Sequence, residues 1–248
     1  MPDVKRLLLI GLATALATAS LLRAQAANIF NDPCIAKAAW RAGLVGVESA
    51  AKGSAISATK ETEVISDGVE NVTSLRFPEL TGKQIHVRAF DSESDYFRTR
   101  FSLWRFFLPM RMRYFVDVNP RLFKRAAPSS GICSILGHEL AHVSYMSNGI
   151  RLRLLGLLRL GSASYRAKFE RKADLEAISR GFAPGLKDYR AWVYSNIPPS
   201  KLAEKELNYF SPAEIDALLC RLQQRPELLS EWEKNVPLGL EEIKSSGR

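Results

Sequence analysis

Cysteine is scarce in this chain: only Cys34, Cys133 and Cys220 occur in 248 residues. An odd count at these spacings matches no metal knuckle. One disulfide is compatible with an oxidising compartment. Cys34 with Cys220 is the pairing that would tie the two ends together, and buried free thiols are the other reading. Histidine is equally rare, at three residues. No internal repeat or low-complexity segment is visible, and beyond residue 22 no uncharged stretch is long enough to span a bilayer. What is present is a globular composition. With 46% apolar and 25% charged residues the chain can bury a sizeable core and is not disordered by composition.

Lysine and arginine number 35 against 26 acids, a formal charge of +9. A basic balance suggests nucleic acid, an anionic membrane surface or an acidic substrate. The amino terminus argues against nucleic acid. Lys5 and Arg6 precede an uncharged run, 7–22, and Ala24-Gln25-Ala26 follows as a small-x-small site. That is the layout of a secretory signal peptide, expected over residues 1–26, with one domain over 27–248. The alternative is a retained anchor, for which the uncharged run is short. Cys34 lies in Asn-Asp-Pro-Cys, without the small apolar context of lipid attachment. The expected location is therefore periplasmic or secreted. There, a basic protein meets anionic envelope polymers or membranes.

Along the chain, residues 35–52 read as a helix. From Glu61 to Phe90 the period-2 runs TEVIS, VTSLRF and QIHVRAF, broken by Asp67-Gly68 and Thr81-Gly82, predict a small sheet. Residues 96–112 are aromatic and basic, and RYFVDV at Arg113–Val118 reads as another strand. From Ser129 the pattern is helical almost to the end. Ser129 or Ser130 is placed to cap a helix reaching Ser147, with Asn148-Gly149 as its stop. A second helix covers about 163–180, ended by Gly181, and Ser211-Pro212-Ala213-Glu214 combines a capping box with proline at the first helical position. The expected class is α+β, mainly helical, with a sheet-containing part over about 55–120 and a helical part over about 129–248.

The chemistry concentrates in Gly137-His138-Glu139-Leu140-Ala141-His142. Residues four apart share a helix face, so two imidazoles converge on one cation. The intervening Glu139 lies about 100° round the helix, where it can take a proton from metal-bound water. Ile132, Leu136, Leu140 and Val143 lie about 120–200° from His138 and form a core stripe. Tyr145 falls on the His138 side, and Cys133 points away.

A third ligand is sought in Phe169-Glu170-Arg171-Lys172-Ala173-Asp174. Glu170 and Asp174 are again four apart on a predicted helix. One carboxylate can bind zinc while the other accepts the remaining ring N–H of a ligand histidine. Taken alone, the segment reads as a surface ion-pair helix, because Lys168, Arg171 and Lys172 interleave with the acids.

His138-Glu139-x-x-His142 followed by Glu170-x-x-Ala173-Asp174 resembles the gluzincin metallopeptidases, and among them the CaaX-prenyl-protease/HtpX-like group. The likeness covers about 40 residues. It implies a zincin-like fold and one catalytic Zn2+ held by His138, His142 and Glu170. It also implies Glu139 as general base and Asp174 as the orienting partner. The ligand gap is shorter than in most of that group, and the transmembrane helices of its integral-membrane members are missing.

Other features are less specific. Tyr145, Tyr165 and Tyr209 are each candidates to stabilise an oxyanion, and nothing in sequence selects among them; Tyr145, on the His138 side of its helix, is the one named as a possible stabiliser. His86 lies in a strand-like run and reads as a packed or surface histidine. The strand Arg113–Val118 is a candidate cleft edge for an extended peptide, or an ordinary core strand. The Arg-rich apolar segments 101–112 and 151–160 are candidates for contact with an anionic membrane, and the second is also a candidate gate. The expectation is a zinc endopeptidase acting on envelope or extracellular polypeptides, with no nucleic-acid partner. Its rivals are a catalytically silent envelope binding or assembly factor and a chance motif in a helical protein.

Overall fold

In the computed structural model, which describes residue 29 and residues 31–35 and 58–246, helix α1 (Ala58–Arg76) occupies most of the stretch expected to be sheet. Ile65, Val69 and Val72 are buried at spacings of four and three, the helical period. TEVIS and VTSLRF alternate over too few residues to compete with that longer pattern, and β-branched residues lower helix propensity only slightly. The helix expected at 35–52 lies outside the described residues beyond position 35.

After a turn at Gly82, whose φ of 76° suits glycine, strands β1 (Gln84–Ala89) and β2 (Phe97–Phe101) form, followed by the short helix α2 (Leu103–Phe107) and strand β3 (Arg113–Val118). They make a mixed sheet in the order β1-β3-β2, with β1 parallel and β2 antiparallel to β3. The strand expected at Arg113–Val118 is present, but it is central, and residues 114–118 are buried. It is the core strand of the two readings; the outer strands are β1 and β2.

Beyond α3 (Arg121–Lys124) the helical half begins with α4 (Ser129–Ser147), which carries the HExxH residues. Pro128 occupies its N-cap without a side-chain bond, and Ser130 instead donates to Asp188. Gly149, at φ 85°, follows its Asn148 cap. Ile132, Leu136, Leu140 and Val143 are buried as the stripe required, and the opposite face is buried too. A 3-10 coil, Arg151–Gly161, leads to α5 (Ala163–Ser179), α6 (Ala183–Asn196), α7 (Pro199–Asn208), α8 (Pro212–Gln224), α9 (Leu228–Lys234) and α10 (Leu240–Ser245). The capping box of Ser211 and Glu214 is formed in both directions. Gly181 turns the chain after α5 with φ 93°.

Helices α4 and α6 cross in close contact. A Cβ on Gly185 would lie 2.3 Å from both the Ser130 carbonyl oxygen and Ser134 Oγ, and one on Gly137 would lie 2.6 Å from the Phe182 ring. Backbone on backbone leaves no room to yield. Gly185→Ala is expected to destabilise the protein by about 1–3 kcal/mol in urea titration despite alanine's better helix propensity.

Cysteine pairing differs from expectation. Cys34 is bonded to Cys133, with Cα atoms 5.9 Å apart, and Cys220 is free and exposed. Sequence carries no signal for the partner of Cys34, because pairing needs Cα atoms within about 7 Å of one another. Cys133 meets that need from the inner side of α4, and the bond staples an N-terminal segment to the helix that carries the site. Iodoacetamide is expected to alkylate Cys220 alone in the native protein. Cys34→Ser is expected to cost about 4–5 kcal/mol in chemical unfolding, the loop-closure value for a separation of 99 residues.

Candidate metal centre

Helix α4 sets His138 and His142 one turn apart, and α5 sets Glu170 and Asp174 one turn apart against them. The three expected ligands converge. His142 Nε2 lies 3.1 Å from His138 Nε2 and 3.1 Å from Glu170 Oε2, and His138 Nε2 lies 3.3 Å from the same oxygen. The two imidazoles stand edge to face, 89° between planes.

This triangle demands positive charge. His138 Nδ1 donates to Asp174 Oδ1 at 2.7 Å, so the neutral ring presents a lone pair at Nε2. That lone pair faces a carboxylate oxygen and a second ring nitrogen, which is repulsive unless a cation or proton lies among them. Burial would lower the His138 pKa, but the Asp174 and Glu170 carboxylates push it up to about 9. Burial would raise Glu170, yet His142 and His138 hold it well below the usual carboxylate range. A tetrahedral ion with bonds of about 2.0–2.1 Å has donor atoms about 3.3–3.4 Å apart. The three atoms sit close to that spacing and could hold one metal ion.

Asp174 is the support beneath. Wholly buried, it accepts from His138, from Arg190 Nη2 at 2.8 Å and from the Phe210 N–H at 3.0 Å. Burial works to raise its pKa, and Arg190 and His138 together with these bonds hold it low. Arg190 also stacks over the Tyr209 ring at 4.1 Å.

Glu139 is buried and shares a cavity of about 480 Å³ with His142, Glu170, Thr99, Phe101 and Tyr209. Thr99 Oγ1 donates to Glu139 Oε2 at 2.6 Å. Burial raises the Glu139 pKa, opposed by His138, His142 and the Thr99 bond. The carboxylate is thus a stronger base than a solvated one. The wall contributed by β2 is an outer strand, and Leu157 and Leu160 of the 3-10 coil add apolar lining.

The tyrosines separate. Tyr209 lines the cavity, with its ring 5.8 Å from that of His138. Burial, chiefly, and then Glu170 raise its pKa well above 10, so it stays a neutral O–H donor. Tyr145 packs edge-on against Phe169 at 5.3 Å and faces a different cavity, with Lys172 and Glu176. Tyr165 lies under the Arg159 guanidinium, 5.1 Å away. His86 is exposed on β1, against Phe115. Phe169 of α5 packs against both the His142 and the Tyr145 rings. Thr99 and Arg190 went unrecognised because nothing in their local sequence marks them; only tertiary contact with Glu139 and Asp174 does.

No protein-family model, no curated protein and no solved structure matches the chain.

Asp174→Ala leaves a buried guanidinium without a counterion and is expected to cost about 3–5 kcal/mol in urea unfolding. A second change, Arg190→Met, should restore part of it. Because the folded-state pKa of Asp174 is depressed, its contribution is present above the unfolded value of about 4 and fades as pH falls below it. The stability difference between wild type and variant should therefore narrow below pH 4, read by the urea midpoint as a function of pH.

Proposed function

We propose that this chain is a zinc-dependent endopeptidase of gluzincin type, with a zincin-like catalytic domain. The reading rests on one observation above all: two imidazole nitrogens and a carboxylate oxygen within 3.1–3.3 Å of one another, beside a cavity that also holds a buried glutamate. Two nitrogens and one oxygen leaving a fourth position open is a donor set suited to catalytic zinc. When bound there, zinc would supply a Lewis acid that polarises a carbonyl and brings the pKa of water to about 7.

The protein groups divide the remaining work. Asp174 fixes the His138 tautomer, so that Nε2 stays available as a donor. Glu139, with Oε2 engaged by Thr99, takes a proton from the attacking water at Oε1 and delivers it to the departing amine. Tyr209 donates to the scissile carbonyl oxygen as negative charge develops on it, the role first considered for Tyr145. The outer edge of β2 offers main-chain groups to an extended polypeptide, while Phe101, Leu157 and Leu160 take up its side chains. The Cys34–Cys133 disulfide is in keeping with work in an oxidising compartment, periplasmic or extracellular, and so with envelope or extracellular polypeptides as substrates.

The test couples metal content to turnover. Wild type and Glu139→Gln are expected to carry one zinc per chain by plasma mass spectrometry, and Glu170→Ala to lose most of it. Casein cleavage should fall by about 10²–10⁴-fold in Glu139→Gln with zinc retained. Zinc-free wild type after reconstitution would remove the metal site. Unchanged cleavage in Glu139→Gln would remove the peptidase.

A further inference from the structure

The two arginine-rich apolar segments are joined in space. Arg151 donates to the Arg105 carbonyl at 3.1 Å and also to those of Leu108 and Met110, pinning the start of the 3-10 coil to the loop after α2. Eight of the ten large apolar side chains found exposed among the described residues belong to these segments and the residue before the coil. Trp104 is 78% exposed, Phe107 71%, Ile150 74% and Leu158 82%. Scattered exposed leucines are ordinary, but this concentration on two joined segments is the mark of an interaction surface.

Charge identifies the partner. The two segments themselves, 101–112 and 151–160, contain five arginines and no acid, whereas the flanking Arg98 and Arg100 are paired with Asp117 and Arg166 with Glu204. A second copy docking through the same face would set arginines against their own symmetry mates, since a two-fold interface presents one patch to itself. An anionic lipid surface suits both features: phosphates take exposed guanidinium groups such as those of Arg111 and Arg159, while Trp104 and Phe107 enter the headgroup–acyl boundary. No helix among the described residues is long and apolar enough to cross a membrane, and the contact inferred is an interfacial one.

We propose that α2, the loop after it and the coil Arg151–Gly161 form a docking surface for an anionic phospholipid bilayer. Leu103, Leu157 and Leu160 belong to these segments and also line the cavity beside Glu139. Docking therefore sets that cavity at the membrane surface. Polypeptides lying on the bilayer would then be the ones within reach. That corollary rests on the peptidase reading, but lipid binding does not.

Vesicle co-sedimentation of the full chain tests it. Binding is expected to vesicles of equimolar phosphatidylcholine and phosphatidylglycerol and not to phosphatidylcholine alone, and to weaken as salt is raised to about 0.5 M. Trp104→Ser/Phe107→Ser should lower the partition coefficient about tenfold or more with unchanged melting temperature. Arg111→Gln should lower it about fivefold. Glu139→Gln should bind as wild type does, which separates this inference from the fate of the hydrolase. Failure of wild type to bind anionic vesicles, equal binding to neutral ones, or full binding by the double serine variant would each overturn the proposal. So would a concentration-dependent dimer that the double variant dissociates while wild type ignores lipid.

Discussion

The wholly buried Asp174 carboxylate draws three separate parts of the chain together around α5: it accepts from His138 on α4, from Arg190 on α6 and from the Phe210 backbone before α8. A charge in that position is tolerable only because a guanidinium lies beside it and because every bond it accepts is satisfied in fixed geometry. The same three bonds set the orientation of His138, place α6 against α4 and hold Tyr209, the neighbour of Phe210, at the cavity. The stability of the helical half and the geometry of the candidate metal centre therefore share one set of contacts.

Two constraints keep α4 in place to receive those bonds. Gly185 lets α6 approach α4 until backbone meets backbone, and the Cys34–Cys133 bond ties α4 to the segment before α1. The outer strand β2 then lies against the free side of the helix, and Thr99 reaches Glu139 from it. A helix held from several sides can carry buried charged groups without local unfolding, which is what a preorganised electrostatic site would require.

The candidate ligands and the exposed apolar segments border the same cavity. Glu139 and Glu170 contribute polar lining, while Leu157 and Leu160 of the arginine-rich coil contribute apolar lining. On the readings advanced above, lipid contact and polypeptide hydrolysis would be arranged on adjoining surfaces. The coil between the two ligand helices would then be both the wall of the cleft and part of its anchor.

Much of this was legible in the residues because it is local. The HExxH helix, its core stripe, the capping box at Ser211, the stops at Gly149 and Gly181 and the strand at Arg113–Val118 follow from periodicity and backbone preference over a few turns. Helical spacing also put Glu170 and Asp174 on one face, although their meeting with the histidines depended on how α5 packs. Short-range alternation misled over 61–76, where the helical period of Ile65, Val69 and Val72 prevailed because those side chains had a core to enter. The partner of Cys34, the place of Tyr209 instead of Tyr145 beside Glu139, the central position of β3, and the parts taken by Thr99 and Arg190 were decided by tertiary structure alone. Each depends on the distance between segments remote in sequence, and that distance is set by how the helices pack, not by any preference the residues carry themselves.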